Sequence, residues 1–294
     1  MRRVFITIRF MIFTIVFVLS LFYGKAAFSE VVIINEIEQL NTILKNVSLS
    51  SLVIFDVDEV LVYPENIVQL QIASSFWEST MVDFEKNLGE EKRDLLHSIM
   101  LLQSNWKLTN EMIPKLIHNL QLKKIKVLAL TAFRSGKMGK IESVEDWRNM
   151  HLKKHDIDFS VTAGFPERYF EINKLNIING KKIPVYKDGI MYTNHHPKGT
   201  VLKAFLEQVD FNPKEIIFID DKIHNVRDVE EFCKVANIKF VGVHDNRIMA
   251  KHNIFDKNLG KYQFQYLEHY HVWLSDSEAK KKIANTQGKI FSSP

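Results

Sequence analysis

Cysteine is nearly missing from this chain: Cys233, in "VEEFCKVANI", is the one thiol among 294 residues. It has no partner for an internal disulfide, so packing must hold the fold in any redox compartment. Its place on the apolar face of a helical pattern reads as a small buried hydrophobe, not a catalytic thiol. Internal repeats with a period of about 20–50 residues are also lacking, as are low-complexity tracts, which excludes solenoid and collagen-like architectures. Hydrophobic residues make up 46% and charged residues 25% of the chain, which suits one or two globular domains with a sizeable core.

An excess of one charge is missing too, once the N-terminus is set aside. Arg2, Arg3 and Arg9 precede an uncharged apolar run from Phe10 to Gly24, and small residues follow in "GKAAFSE". That order is the pattern of a secretory signal peptide over residues 1–29, with cleavage expected after Ala26 or Ser29. The apolar run is short for a membrane span, which weighs against the alternative of an uncleaved membrane anchor. The leader holds four of the 39 Lys/Arg and no Asp/Glu, leaving 35 basic against 35 acidic side chains. A neutral mature chain offers no basic field for nucleic acid. The expected location is the periplasm or the exterior, with no stable membrane span once the leader is removed.

Four short, continuous apolar runs read as strands buried on both faces of a parallel sheet: "LVIF" (52–55), "IKVLAL" (125–130), "EIIFI" (215–219) and "IKFVGV" (238–243). Helical periodicity fills the stretches between them, which points to a doubly wound, mainly parallel α/β sheet. About 60 residues separate the first two strands, far more than one crossover needs. An inserted helical cap is therefore expected over about 63–124, on a core of residues 30–62 and 125–294. "KKIPVYKDGIMYTN" (181–194) reads as a β-hairpin turning at Lys187-Asp188-Gly189, at the sheet edge or as a flap.

Three of the four strands end in polar chemistry: Asp56 and Asp58 in "VIFDVDEVLVYPEN", Thr131, and Asp220-Asp221 in "IIFIDDKIHN". Ligands of open α/β sheets bind at the carboxyl ends of the strands, so these side chains are expected to converge. Taken singly, Asp56-x-Asp58 would be a solvated turn, Asp220-Asp221 a helix cap, and Lys198 in "HHPKGTVLKAFL" a surface charge.

In their order and spacing, Asp56-x-Asp58, Thr131, Lys198 and Asp220-Asp221 resemble the motifs of the haloacid-dehalogenase-like (HAD) superfamily, over residues 51–243. The layout is also similar to a family of uncharacterised exported HAD-like proteins of intracellular bacteria, sharing "KG…L…FL" before "IIFIDD". The superfamily resemblance implies a phosphohydrolase that acts on a small phosphorylated molecule through an aspartyl-phosphate. It implies Asp56 as nucleophile and metal ligand, and Asp58 as general acid and base whose backbone carbonyl also binds the metal. Thr131, with Ala132 beside it, would hold the phosphoryl group. Lys198 would neutralise developing charge, Asp220 would pair with Lys198, Asp221 would bind the metal, and Asn225 would support it. Arg134 is the expected extra phosphate contact. A phosphomonoester and an attacking carboxylate are both anionic, so a hard divalent cation, Mg²⁺, must offset their repulsion. Many members follow the second Asp with Gly-Thr; here Glu59-Val60 stands instead, and Val60 lacks a hydroxyl that often braces the loop. The alternative is a weak or inactive scaffold that binds a protein partner through its helical insertion, and phosphotransfer is a third reading.

Elsewhere, His151 and His155 in "HLKKHDID" sit four apart but lack a third ligand at metal-site spacing, so they read as a solvated helix end. His195 and His196 read as loop residues next to Lys198. "YLEHYHVWL" (266–274) reads as core packing, because no basic residues interleave it for base stacking.

Overall fold

Strands and helices alternate along the computed structural model, which describes residues 28–162, 165 and 168–285. β1 (Ser29–Ile34) and α1 (Ile37–Leu44) lead into β2 (Ser51–Phe55). Then come β3 (Val62–Pro64), two 3-10 turns, α2 (Ser74–Leu88), α3 (Glu90–Gln103), β4 (Trp106–Leu108) and α4 (Ile113–Leu122). β5 (Lys126–Thr131), α5 (Val144–Lys153), β6 (Tyr169–Glu171), β7 (Val185–Lys187) and β8 (Ile190–Tyr192) follow. The chain continues through α6 (Lys198–Gln208), β9 (Glu215–Asp220), α7 (Ile223–Val235) and β10 (Lys239–Asp245). It closes with α8 (Arg247–Lys251), α9 (Lys257–Tyr270) and α10 (Asp276–Asn285).

The sheet runs β1-β10-β9-β2-β5-β8-β7-β6, parallel from β1 to β8 and antiparallel over its last two pairings. Strand alternation sorts its two faces. Val53 and Phe55 of β2 face a core shared with α1, α4 and α5, while Leu52 and Ile54 face one shared with α6 and α7. This is the doubly wound arrangement that the uniformly apolar runs implied. Cys233 lies wholly buried in the second core, and burial pushes its thiol up to about 12. The hairpin turns where expected: Asp188 and Gly189 both have positive φ, 49° and 89°, as a type I′ turn requires. Leu267, Trp273 and Leu274 of the aromatic C-terminal stretch are buried packing residues.

The long crossover divides differently from the expected cap. α4 carries Leu116, Ile117 and Leu120 into the core under β5 and is the crossover helix itself, so the boundary near 124 falls after a core element. The insertion proper is the antiparallel β3–β4 ribbon with α2 and α3. Its buried Phe84, Leu96 and Ile99 belong to the same apolar cluster as the sheet. α9 reinforces it: the Phe264 ring lies 5.5 Å from Trp77 and 5.8 Å from Phe84.

The leader expected over 1–29 lies outside the described residues except for Phe28 and Ser29, and both of these belong to the edge of the sheet. Ser29 pairs with Phe240 in β10, and its hydroxyl donates to Glu230 Oε1 at 2.7 Å. The Phe240 N–H donates to the Phe28 carbonyl at 2.9 Å. Cleavage after Ser29 would remove both contacts, whereas cleavage after Ala26 keeps the strand whole. N-terminal sequencing of the mature protein is expected to begin at Ala27; a start at Glu30 would contradict this.

Candidate active site

Adjacent parallel strands end level with one another. Phe55 pairs with Ile219 and the Asp56 N–H donates to the Ile219 carbonyl at 2.8 Å, so Asp56 and Asp220 emerge side by side. Lys198 joins them, its Nζ donating to Asp56 Oδ1 at 2.7 Å and to Asp220 Oδ2 at 2.6 Å. Lys198 is the first residue of α6, where the helix dipole disfavours a cation, so the two carboxylates are what hold it there. Burial alone would lower its pKa; Asp220 and Asp56 reverse that and raise it.

Gly199 lets α6 come this close to α7. Its N–H donates to Asp228 Oδ2 at 2.7 Å, and a Cβ there would lie 2.4 Å from the Asp228 carbonyl oxygen. Gly199→Ala should therefore cost about 1–3 kcal/mol through overpacking, read as a lower urea midpoint. An unchanged midpoint would mean that the helices separate freely.

Asp220 is saturated: Lys198, the Lys222 backbone N–H at 2.8 Å and Asn225 Nδ2 at 3.0 Å all bond its carboxylate. Asp221 is the opposite case. Its Oδ1 is buried without a partner among the described residues, and burial, Asp220 and Asp56 push its pKa well above the carboxylate range. Carboxylate oxygens of Asp56, Asp220 and Asp221 all lie within 4.8 Å of one another. Crowded oxygens, one of them unsatisfied, fit a hard divalent cation, whose charge would lower the raised pKa of Asp221. Asp221 and the second carboxylate oxygen of Asp56 are left to hold it, since Asp220 is already occupied.

Asp58 meets a partner that the sequence did not announce. Arg148 Nη2 lies 2.9 Å from Asp58 Oδ1 and 3.1 Å from Oδ2. Ser143 starts α5 by accepting the Asp146 N–H at 3.1 Å, and the helix carries Arg148 inward to complete burial. Its guanidinium lies 4.7 Å from the Trp147 ring, 5.2 Å from Trp106 and 5.4 Å from Phe133. Burial raises the Asp58 pKa and Arg148 opposes it, with a net rise.

Position 59 has φ +62°, the left-handed region that favours glycine. Glu59 occupies it while its Oε1 accepts the Gln71 N–H at 2.5 Å, tying the loop to the insertion; burial lifts its pKa to about 7. The hydroxyl missing at Val60 is replaced from elsewhere: Thr109 Oγ1 donates to the Val60 carbonyl at 2.6 Å, and Arg247 Nη2 at 3.1 Å.

A cavity of about 410 Å³ opens above these groups, between the strand ends and the insertion. Asp56, Asp58, Thr131, Ala132, Lys198 and Asp221 all line it, so most of the expected site residues converge. Arg134 does not line it; Nη1 bonds Asp94 of α3 at 2.7 Å, which corrects its expected place beside the phosphate. His195 reaches the cavity, whereas His196 is buried with Nε2 3.1 Å from the Lys182 carbonyl oxygen. His151 is not a solvated helix end but stacks on Trp147 at 5.6 Å, and burial drops its pKa to about 3. Arg148 and Lys222, both lining the cavity, were missed by sequence reasoning; the one hint for Arg148 was the neighbouring Trp147.

Fold and site together define an α/β protein with a carboxylate-rich pocket at the strand ends, roofed by a helical insertion. The chain belongs to the family described as "Protein of unknown function (DUF2608)", which matches residues 33–280. It is 26% identical over 247 residues to an uncharacterised protein of Rickettsia conorii, covering 79% of this chain and 82% of that one. Another uncharacterised protein, from Rickettsia prowazekii, is 31% identical over 137 residues, 45% of each chain. A Chlamydia pneumoniae protein named "Putative outer membrane protein" is 22% identical over 234 residues, 77% of this chain and 81% of that one. No solved structure gives a significant match. Among the described residues no helix is long and apolar enough to cross a membrane.

Proposed function

We propose that this is an exported, HAD-like phosphomonoester hydrolase that works through an aspartyl-phosphate on Asp56. The observation that carries the reading is Lys198 bridging Asp56 and Asp220 at the floor of the cavity, with Asp58, Asp221 and Thr131 around it. Asp56 would attack phosphorus as the bond to the leaving oxygen breaks. Protonated Asp58, favoured by burial, would give its proton to that oxygen and then take one from the water that releases phosphate. Lys198 positions Asp56 through the bond from its Nζ. Thr131, whose Oγ1 accepts the Phe133 N–H at 3.2 Å, has its hydroxyl hydrogen left for a phosphoryl oxygen. Mg²⁺, held by Asp56, Asp221 and the Asp58 carbonyl, would supply charge neutralisation between the two anions. The N-terminal pattern, and a relative bearing an outer-membrane name, support export.

One observation favours a second reading, a weak scaffold that binds an envelope or host protein through the insertion. The Arg148 guanidinium stabilises ionised Asp58 and so works against proton donation. The purified chain, assayed for phosphate release from a broad phosphomonoester panel with Mg²⁺ or with EDTA, separates the two. Mg²⁺-dependent release supports the hydrolase. No release and no Mg²⁺ binding would overturn it in favour of the scaffold.

A further inference from the structure

Resting on the phosphoryl-site reading above, we infer that the cavity takes a substrate whose non-phosphate part is a flat aromatic ring. The walls above the carboxylates are aromatic. Trp77 and His97 from the insertion, Trp106 from β4 and Phe133 after β5 line the cavity. Trp77 lies 5.3 Å from His97 and His97 5.9 Å from Phe133, and Trp147, 6.5 Å from Phe133 and 6.3 Å from Trp106, completes a connected arc. Each is only half-buried, so ring surface is left for a guest.

The arc is held in place from behind. Trp106 Nε1 donates to the Leu101 carbonyl at 3.2 Å, and its outer side packs on His151 at 4.9 Å. Trp77 packs on Phe264 of α9 at 5.5 Å. Burial lowers the His97 pKa to about 4, so at neutral pH that ring presents no cation. A preorganised aromatic wall binds a flat ring by stacking, at little conformational cost.

Non-hydrolysable phosphonates test this apart from turnover. Benzylphosphonate, cyclohexylmethylphosphonate and 3-phosphonopropionate would be titrated into the purified wild-type chain with Mg²⁺ by calorimetry. The benzyl compound should bind about threefold to tenfold tighter than its non-planar analogue, with the propionate weakest. Trp77→Leu and Trp106→Leu should each erase most of that preference, and Trp77→Phe should restore it. Equal affinities, tightest binding of the propionate, a preference untouched by both Trp variants, or no binding of any phosphonate would each overturn the inference. Hydrolysis is read separately with benzyl phosphate: no phosphate release alongside an intact benzyl preference would sink the hydrolase reading and leave the ring specificity standing.

Discussion

Asp56→Asn should abolish phosphate release, by at least about 10⁴-fold in kcat/KM, because a neutral amide cannot attack phosphorus. The same change should leave the fold in place. Asparagine is nearly isosteric, its carbonyl oxygen can still accept from Lys198, and one charge leaves a cluster that also holds Asp220 and Asp221. Thermal midpoints within a few degrees of wild type would separate lost chemistry from lost structure. Asp58→Asn should be milder, about 10²–10⁴-fold, and milder still with p-nitrophenyl phosphate, whose leaving oxygen scarcely needs a proton. Wild-type turnover in Asp56→Asn would eliminate the nucleophile assignment.

Lys198→Met should be the most destabilising single change in the site, by about 3–5 kcal/mol. It strands Asp56 and Asp220, both buried, without their shared counter-ion. Urea denaturation should show a lower midpoint with an unchanged slope. The pH dependence fixes the cause. Two stranded buried carboxylates have folded-state pKa values above their unfolded ones, so the folded variant binds the extra protons and regains stability as pH falls through those raised values. The gap to wild type should therefore narrow as pH is lowered from neutrality. Added Mg²⁺ should narrow it as well, by supplying the missing positive charge. A pH-independent gap would assign the loss to packing of the lysine stem.

The central sheet was legible because parallel strands buried on both faces leave continuous apolar runs such as "IIFI", which few other structures produce. β1 was not, since "EVVII" follows an apolar leader and its half-exposed pattern reflects an edge position. Asp56, Thr131 and Asp221 could be named because they follow or close apolar strands, a local property of the sequence, and Lys198 because the order and spacing of the motifs resemble those of the HAD superfamily. Arg148 could not: nothing in "EDWRNMH" shows that α5 turns this arginine into three rings and Asp58. Arg134 went wrong for the complementary reason. It follows Thr131 closely, but Asp94 from the insertion captures it. The aromatic arc likewise exists only after segments far apart in sequence have met.

β1 also sets when the molecule can finish folding. Its first residue bonds Glu230, 201 residues away in sequence, and its strand partner is β10. A chain emerging N-terminus first from a ribosome or a translocation pore cannot dock β1 until β10 has followed it out. Such long-range closure is slow relative to local helix formation. The N-terminal edge strand thus stays unpaired until the rest of the sheet is almost complete.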